Sequence, residues 1–136
     1  MSDLNVRDKD TIDFLLTRRS TIAKMMDGPG PSDTELQKIL ETGMRVPDHG
    51  RLTPWRFIII RGDAREKIGD VISASYKKNT PDAIEEQIEI EQERLTRAPV
   101  VVAVISRVHK GHKIPEWEQV LSAGAACQTM LIAAQS

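Results

Sequence analysis

The chain has 136 residues, of which 40% are hydrophobic and 29% charged, a composition typical of one globular domain with its own core. Its 19 basic and 20 acidic side chains leave a formal net charge of −1, which argues against nucleic acid or an anionic membrane as a partner. The single cysteine excludes an internal disulfide, and no stretch has the apolar length of a signal peptide or a membrane span, so we expect a cytoplasmic protein.

The first two predicted helices flank a connection rich in glycine and proline. The stretch DTIDFLLTRRS places apolar residues at helical spacing and ends in two arginines and a serine. Ser32 and Glu35 have the spacing of a capping box, which predicts that a second helix begins there. The apolar residues at helical spacing are Ile12, Leu15 and Leu16 in the first helix and Leu36, Ile39, Leu40 and Met44 in the second.

Two apolar runs predict strands, and helices separate them along the chain. The first is a buried strand over Trp55–Arg61, and the second covers residues 99–106, whose branched residues do not alternate, as in a sheet covered on both faces. Helices are predicted over residues 63–78, 81–97 and 114–136. This order predicts a single α+β domain over residues 1–136, with helices packed around a small central sheet.

A loop stiffened by two prolines leads into the first strand. It reads RVPDHGRLTP and carries a histidine and three charged residues. Binding residues concentrate on loops held by a rigid scaffold, so His49 and its neighbours are candidates for a site. The alternative is a structural turn in which the Asp48 side chain bonds to its own backbone.

Arg18, Arg19 and Ser20 form a second group of candidates. Two guanidinium groups and a hydroxyl, followed by a turn, could hold a phosphate through charge-assisted hydrogen bonds. They could equally be cations that complement the carboxyl end of the first helix, and the pattern alone does not separate the two interpretations.

Other reactive side chains give weaker patterns. His109, His112 and Glu116 lack the spacing of a strong metal site, so we predict no metal. Neither a nucleophile elbow nor a glycine-rich phosphate loop is present. Cys127 lies among alanines on an apolar helix, which predicts a buried structural thiol. Trp117 is either a core anchor or part of a lid.

Three stretches together resemble the nitroreductase family: RRS, ILETGMRVPDHGRLTPWRFIII and HKIPEWEQVLSAGAACQTMLIAA. The resemblance runs from about Ile12 to the last residue and is greatest to a small bacterial branch named for NAD(P)H nitroreductases. It implies an α+β flavoprotein that forms an intertwined homodimer with FMN at the interface. It also implies that NAD(P)H reduces the FMN, which then reduces a small-molecule electron acceptor such as a nitroaromatic or a quinone in a ping-pong cycle. Because the cofactor supplies this chemistry, we predict no catalytic side chain.

The resemblance also implies the cofactor contacts. Arg18, Arg19 and Ser20 match the residues that hold the FMN phosphate and ribityl chain. Arg45 and His49 match positions from which the partner's loop reaches the flavin. The alternative for His49 is a hydrogen bond to Asp48 within its own turn.

Two features depart from the family pattern. Ile22 occupies a position that is often basic, for which Lys24 is a possible substitute, and the pattern continues beyond residue 136. The alternative expectation is therefore a dimeric remnant that binds flavin weakly or not at all. In either case we expect the last helix to contribute to the dimer interface, since Ala123, Gly124 and Ala126 allow close approach of helix backbones.

Overall fold

The computed structural model describes residues 9–26 and 28–136, which form helices around a two-stranded sheet. The helices are α1 (Lys9–Thr17), α2 (Asp33–Gly43), α3 (Ala64–Asn79), α4 (Glu85–Gln92) and α5 (Glu116–Ala133), and the strands are β1 (Trp55–Arg61) and β2 (Val100–Ser106). The predicted α+β class is confirmed. None of the helices in the described ranges is long and apolar enough to cross a membrane.

The two strands pair directly, although α3 and α4 lie between them in the chain. They run antiparallel, with Trp55 opposite Ser106 and Arg61 opposite Val100. Because the described sheet has only these two strands, several branched residues remain accessible: Ile58, Ile59 and Ile105 are exposed. The expectation that the second strand lies in a sheet covered on both faces is therefore wrong for this chain.

The core lies where α5 packs on the sheet and on α2. Trp55, Ala123 and Ala126 form a buried cluster, and partly buried Val46, Phe57 and Val104 pack against it. Residues of α5 at helical spacing face inward, and Met130 continues that face toward α2. Two of the small residues expected at a dimer interface, Ala123 and Ala126, therefore face the chain's own core.

A second face of α5 is apolar and exposed. It carries Trp117, Val120, Leu121 and Leu131, of which Trp117 is 63% accessible. Trp117 is therefore not a core anchor of its own chain. Cys127 is also exposed, so the prediction of a buried thiol is wrong. The reason is its phase on the helix, since it lies about 100° around the axis from the buried Ala126.

The sequence predicted the start of α2 correctly but overestimated the length of the helix over residues 81–97. At α2 the capping box is present: Ser32 Oγ accepts from the Glu35 N–H at 3.3 Å, and the Glu35 carboxylate accepts from the Ser32 N–H at 2.8 Å. The Ser32 hydroxyl also donates to Glu35 Oε2 at 2.7 Å, and this bond, followed by the one from the Ser32 N–H, lowers the pKa of Glu35. The predicted helix over residues 81–97 is shorter, because regular α-helix covers only Glu85–Gln92 and a 3-10 turn follows over Glu93–Leu95.

The three apolar residues that the sequence predicted on one face of α1 are exposed, as is Met44 after α2. Ile12, Leu15 and Leu16 lie at helical spacing as predicted, but Leu16 is 78% accessible. Leu36 and Gly43 are the buried residues of α2. The helical periodicity was therefore predicted correctly, but the described residues leave the apolar face of α1 accessible.

Gly69 gives the first testable prediction, because it permits α3 and α4 to approach closely. A Cβ at this position would lie 2.1 Å from the Gln92 carbonyl oxygen, which is backbone and cannot rotate away. We expect Gly69→Ala to lower the free energy of unfolding by about 1–3 kcal/mol, the usual cost of overpacking. Urea unfolding of the parent and the variant measures this difference in the free energy of unfolding.

The matched control is Lys77→Ala, an exposed position on the same helix. Its free energy of unfolding should stay within about 0.5 kcal/mol of the parent value. Equal midpoints of urea unfolding for Gly69→Ala and Lys77→Ala would contradict the close approach of α3 and α4.

Candidate functional site

Arg18, Arg19 and Ser20 immediately follow α1. The helix ends at Thr17, and the Arg18 N–H still donates to the Phe14 carbonyl at 2.8 Å. The Arg18 side chain then turns toward Ser20, with Nη2 donating to Ser20 Oγ at 3.3 Å. Arg18 is half-buried, whereas Arg19 and Ser20 are exposed. The structure thus places two guanidinium groups and a hydroxyl on one short segment at the surface.

Gln135 anchors this segment from the far end of the chain. Its Oε1 accepts from Arg18 Nε at 2.7 Å, and its Nε2 donates to the Arg19 carbonyl at 2.7 Å. Gln135 comes two residues after the end of α5, and its own N–H donates to the Ile132 carbonyl at 3.0 Å. Sequence reasoning missed Gln135, because more than a hundred residues separate it from Arg18 and no local pattern marks the contact.

The charge at this segment favours an anion. In residues 9–26 and 28–136, neither Arg18 nor Arg19 forms an ion pair with a carboxylate. Arg18 uses its Nε on Gln135 and one N–H of Nη2 on Ser20, which leaves Nη1 and the second N–H of Nη2 for other acceptors. Guanidinium and hydroxyl donors at this spacing suit a phosphate group, which accepts several charge-assisted hydrogen bonds at once. Ile22 is exposed nearby, and Lys24 lies in the following 3-10 turn (Ala23–Met25).

The loop before β1 is held rigidly by Asp48. The Asp48 carboxylate accepts from the Thr53 N–H at 2.7 Å and from the Leu52 N–H at 3.2 Å. This is the structural turn that sequence analysis gave as the alternative for Asp48. Arg51 and Thr53 have φ values of 55° and 45°, which non-glycine residues adopt only when their surroundings hold them there. The loop is therefore a fixed, strained element.

His49 extends from this loop to α5. Its Nδ1 lies 2.8 Å from Glu118 Oε2. The hydrogen-bond partner of His49 is therefore Glu118, and not Asp48 as in the alternative from the sequence. The His49 side chain is 69% accessible and that of Glu118 only 28%. The Pro47 carbonyl also accepts from Ser122 Oγ at 2.9 Å. The loop thus lies along the amino-terminal half of α5, with the imidazole at the surface.

Arg45 lies at the start of the same loop, directly after α2. Its N–H donates to the Thr42 carbonyl at 3.0 Å, and its side chain is exposed. Within the part of the chain that the structure describes, the Arg45 guanidinium takes part in no ion pair. It is therefore available to a ligand or to another chain.

The two groups of candidates lie at opposite ends of α5. Glu118, the partner of His49, is in the first turn, whereas Gln135, the partner of Arg18, follows the last turn. Seventeen residues of mostly helical chain span roughly 25 Å. The structure therefore brings Arg18 and Ser20 together but does not bring His49 to them within one chain.

The histidines of the loop before α5 have structural partners. The His112 Nδ1 accepts from the Ile114 N–H at 3.1 Å, and the buried Gln119 amide bonds to both backbone groups of His109. Among the residues that the structure describes, no three histidine, cysteine, aspartate or glutamate side chains are placed to hold a metal ion.

Comparison with known proteins gives consistent matches. A family model described as "Nitroreductase family" matches residues 15–136. The Escherichia coli (strain K12) protein named "Putative NAD(P)H nitroreductase YdjA" is 36% identical over 125 residues, which cover 92% of this chain and 66% of that protein. A Haemophilus influenzae protein named "Putative NAD(P)H nitroreductase" is 34% identical over 128 residues, covering 93% of this chain and 67% of its own length. The chain thus spans about two thirds of the curated relatives it matches.

A solved structure shares the fold. The nitroreductase-like family protein from Bacillus cereus superposes with a TM-score of 0.74 at 18% sequence identity. The match covers 91% of this chain and 63% of that structure. At this identity the likeness concerns the arrangement of helices and strands alone.

Proposed function

Because this chain belongs to the nitroreductase family, we propose that it is an FMN-dependent oxidoreductase of the cytoplasm that uses NAD(P)H to reduce nitroaromatics, quinones or similar electron-poor acceptors. When bound, FMN supplies the two-electron chemistry between NAD(P)H and the acceptor in a ping-pong cycle. The observation that carries the proposal is the surface segment of Arg18, Arg19 and Ser20, in which Arg18 bonds to Ser20 and neither arginine pairs with a carboxylate among the described residues.

The residues present fit the phosphate end of FMN. Arg18 presents its terminal guanidinium nitrogens, Ser20 adds a hydroxyl, and Arg19 adds a second permanent charge. Arg45 and His49 would serve the ring system, where a cation or a hydrogen-bond donor stabilises negative charge on the reduced flavin. The chain's own side chains bind and orient the cofactor in this scheme, and none acts as an acid or a base.

A homodimer completes the proposed site. In one chain the two groups of contacts lie roughly 25 Å apart along α5, which exceeds the length of FMN. A second copy that packs against α5 could bring its own His49 and Arg45 beside the first copy's Arg18. The exposed apolar face of α5 and the exposed apolar residues of α1 support such packing, since large apolar surfaces are rarely left in water.

The exposed apolar residues of α1 and α5 give a testable prediction for the oligomeric state. We expect sedimentation to give a dimer at micromolar concentration, and a stable monomer there would contradict the shared site.

Reduction and reoxidation of bound flavin test the function itself. We expect the purified protein to be yellow, or to become yellow with added FMN, to bleach with NADPH or NADH without oxygen, and to recover its colour when a nitroaromatic is added. Free FMN at the same concentration is the control. Colourless protein that gains no bound flavin from added FMN would contradict the proposal and support the non-catalytic remnant.

A further inference from the structure

Gln135 is the residue that ties the proposed phosphate segment to the body of the protein. Residues 18–22 have no regular secondary structure, and their backbone is tied to α1 through the Arg18 N–H at one end of the segment. Gln135 bonds to this segment twice, from Arg18 Nε to Oε1 at 2.7 Å and from Nε2 to the Arg19 carbonyl at 2.7 Å. One amide group thus holds a side chain and the backbone beside it.

The contact geometry determines what Arg18 can offer to a ligand. An arginine side chain has about 2 kcal/mol of rotamer entropy to lose when it is immobilised. Because Gln135 occupies Nε, the guanidinium plane is oriented before any ligand arrives and its outer edge remains for an acceptor. Ordering a side chain in advance lowers the cost of binding without adding a contact to the ligand.

We propose that Gln135 is a positioning residue that confers selectivity for flavins carrying a phosphate, acting through Arg18. This inference rests on the proposed FMN site. Gln135 itself does not contact the cofactor in this scheme. Its loss therefore affects ligands in proportion to how much they depend on the Arg18 guanidinium, and a flavin without a phosphate does not depend on it.

The test compares FMN with riboflavin, which has the same ring and ribityl chain but no phosphate. Gln135→Met keeps the length of the side chain and removes both hydrogen bonds. We expect its affinity for FMN to fall by about fivefold to tenfold, up to about 1.4 kcal/mol, with riboflavin affinity unchanged within about twofold. Quenching of flavin fluorescence gives both dissociation constants without any measurement of turnover.

Two further variants make the result specific. Gln37→Ala removes an exposed glutamine of α2 whose amide donates to Glu41 within its own helix, and it should leave both affinities unchanged. In an Arg18→Ala background, Gln135→Met should have no additional effect on FMN, because the residue through which it acts is gone.

The outcomes separate this inference from the proposed function. If the parent protein does not prefer FMN to riboflavin, or if Arg18→Ala leaves that preference intact, the phosphate site itself is wrong and the role of Gln135 falls with it. If Arg18→Ala abolishes the preference but Gln135→Met does not reduce it, the site stands and Gln135 has no positioning role. Equal losses for FMN and riboflavin in Gln135→Met would show a general structural role and would also overturn the inference.

Discussion

Arg18→Ala should weaken the binding of FMN by about 1.5–3 kcal/mol, the contribution of a hydrogen bond to a charged group. Arg18 is the half-buried member of the proposed phosphate segment, and both Gln135 and Ser20 orient its guanidinium. The substitution removes two forked donors and a permanent charge, and it leaves Gln135 Oε1 without its donor. Calorimetric titration of the flavin-free protein with FMN measures the change.

Two comparison variants show which property of Arg18 matters. Lys77→Ala removes one positive charge from α3, away from the segment, and should leave FMN affinity unchanged. Arg18→Lys keeps the charge but loses the fork and the Nε contact, so we expect an affinity between those of the parent and Arg18→Ala. An FMN affinity in Arg18→Ala equal to that of the parent would rule out the assignment of this segment to the phosphate.

A mixed dimer should distinguish a shared site from two separate ones. One subunit carries Arg18→Ala and the other His49→Ala, with different affinity tags for purification. If Arg18 of one copy and His49 of the other serve the same flavin, the heterodimer holds one intact site and one doubly damaged site. We therefore expect one FMN per heterodimer to bind with near-native affinity.

The reciprocal arrangement is the control for this experiment. Placing Arg18→Ala and His49→Ala on the same subunit, with an unchanged partner, should give two singly damaged sites and no native-affinity binding. If each chain builds its own site, the outcomes are reversed: the same-subunit arrangement then keeps one native-affinity site, and the mixed dimer has two singly damaged sites. This test also depends on the position of His49, which the hydrogen bond to Glu118 holds at the opposite end of α5 from Arg18.

Local features of the structure could be predicted from the sequence because short-range physics decides them. The capping box at Ser32 and Glu35 involves neighbours three residues apart, and β1 follows from a run of apolar and branched residues. The order of helices and strands was sufficient for the α+β class. The length of α4 was harder to predict, because its pattern of charges is compatible with a helix longer than the one observed over Glu85–Gln92.

Tertiary structure alone decided which residues meet. Periodicity identified the apolar face of α1 but could not show that it lies exposed, because burial depends on what packs against a helix. The sequence neighbours of Cys127 predicted a buried thiol, whereas its phase on α5 places it outside the core-facing row. Arg18 and Ser20 could be recognised as candidates from the sequence run RRS, whereas no sequence pattern identified Gln135. A contact between residues more than a hundred positions apart leaves no local pattern, and only the fold that brings the end of α5 to the end of α1 creates it.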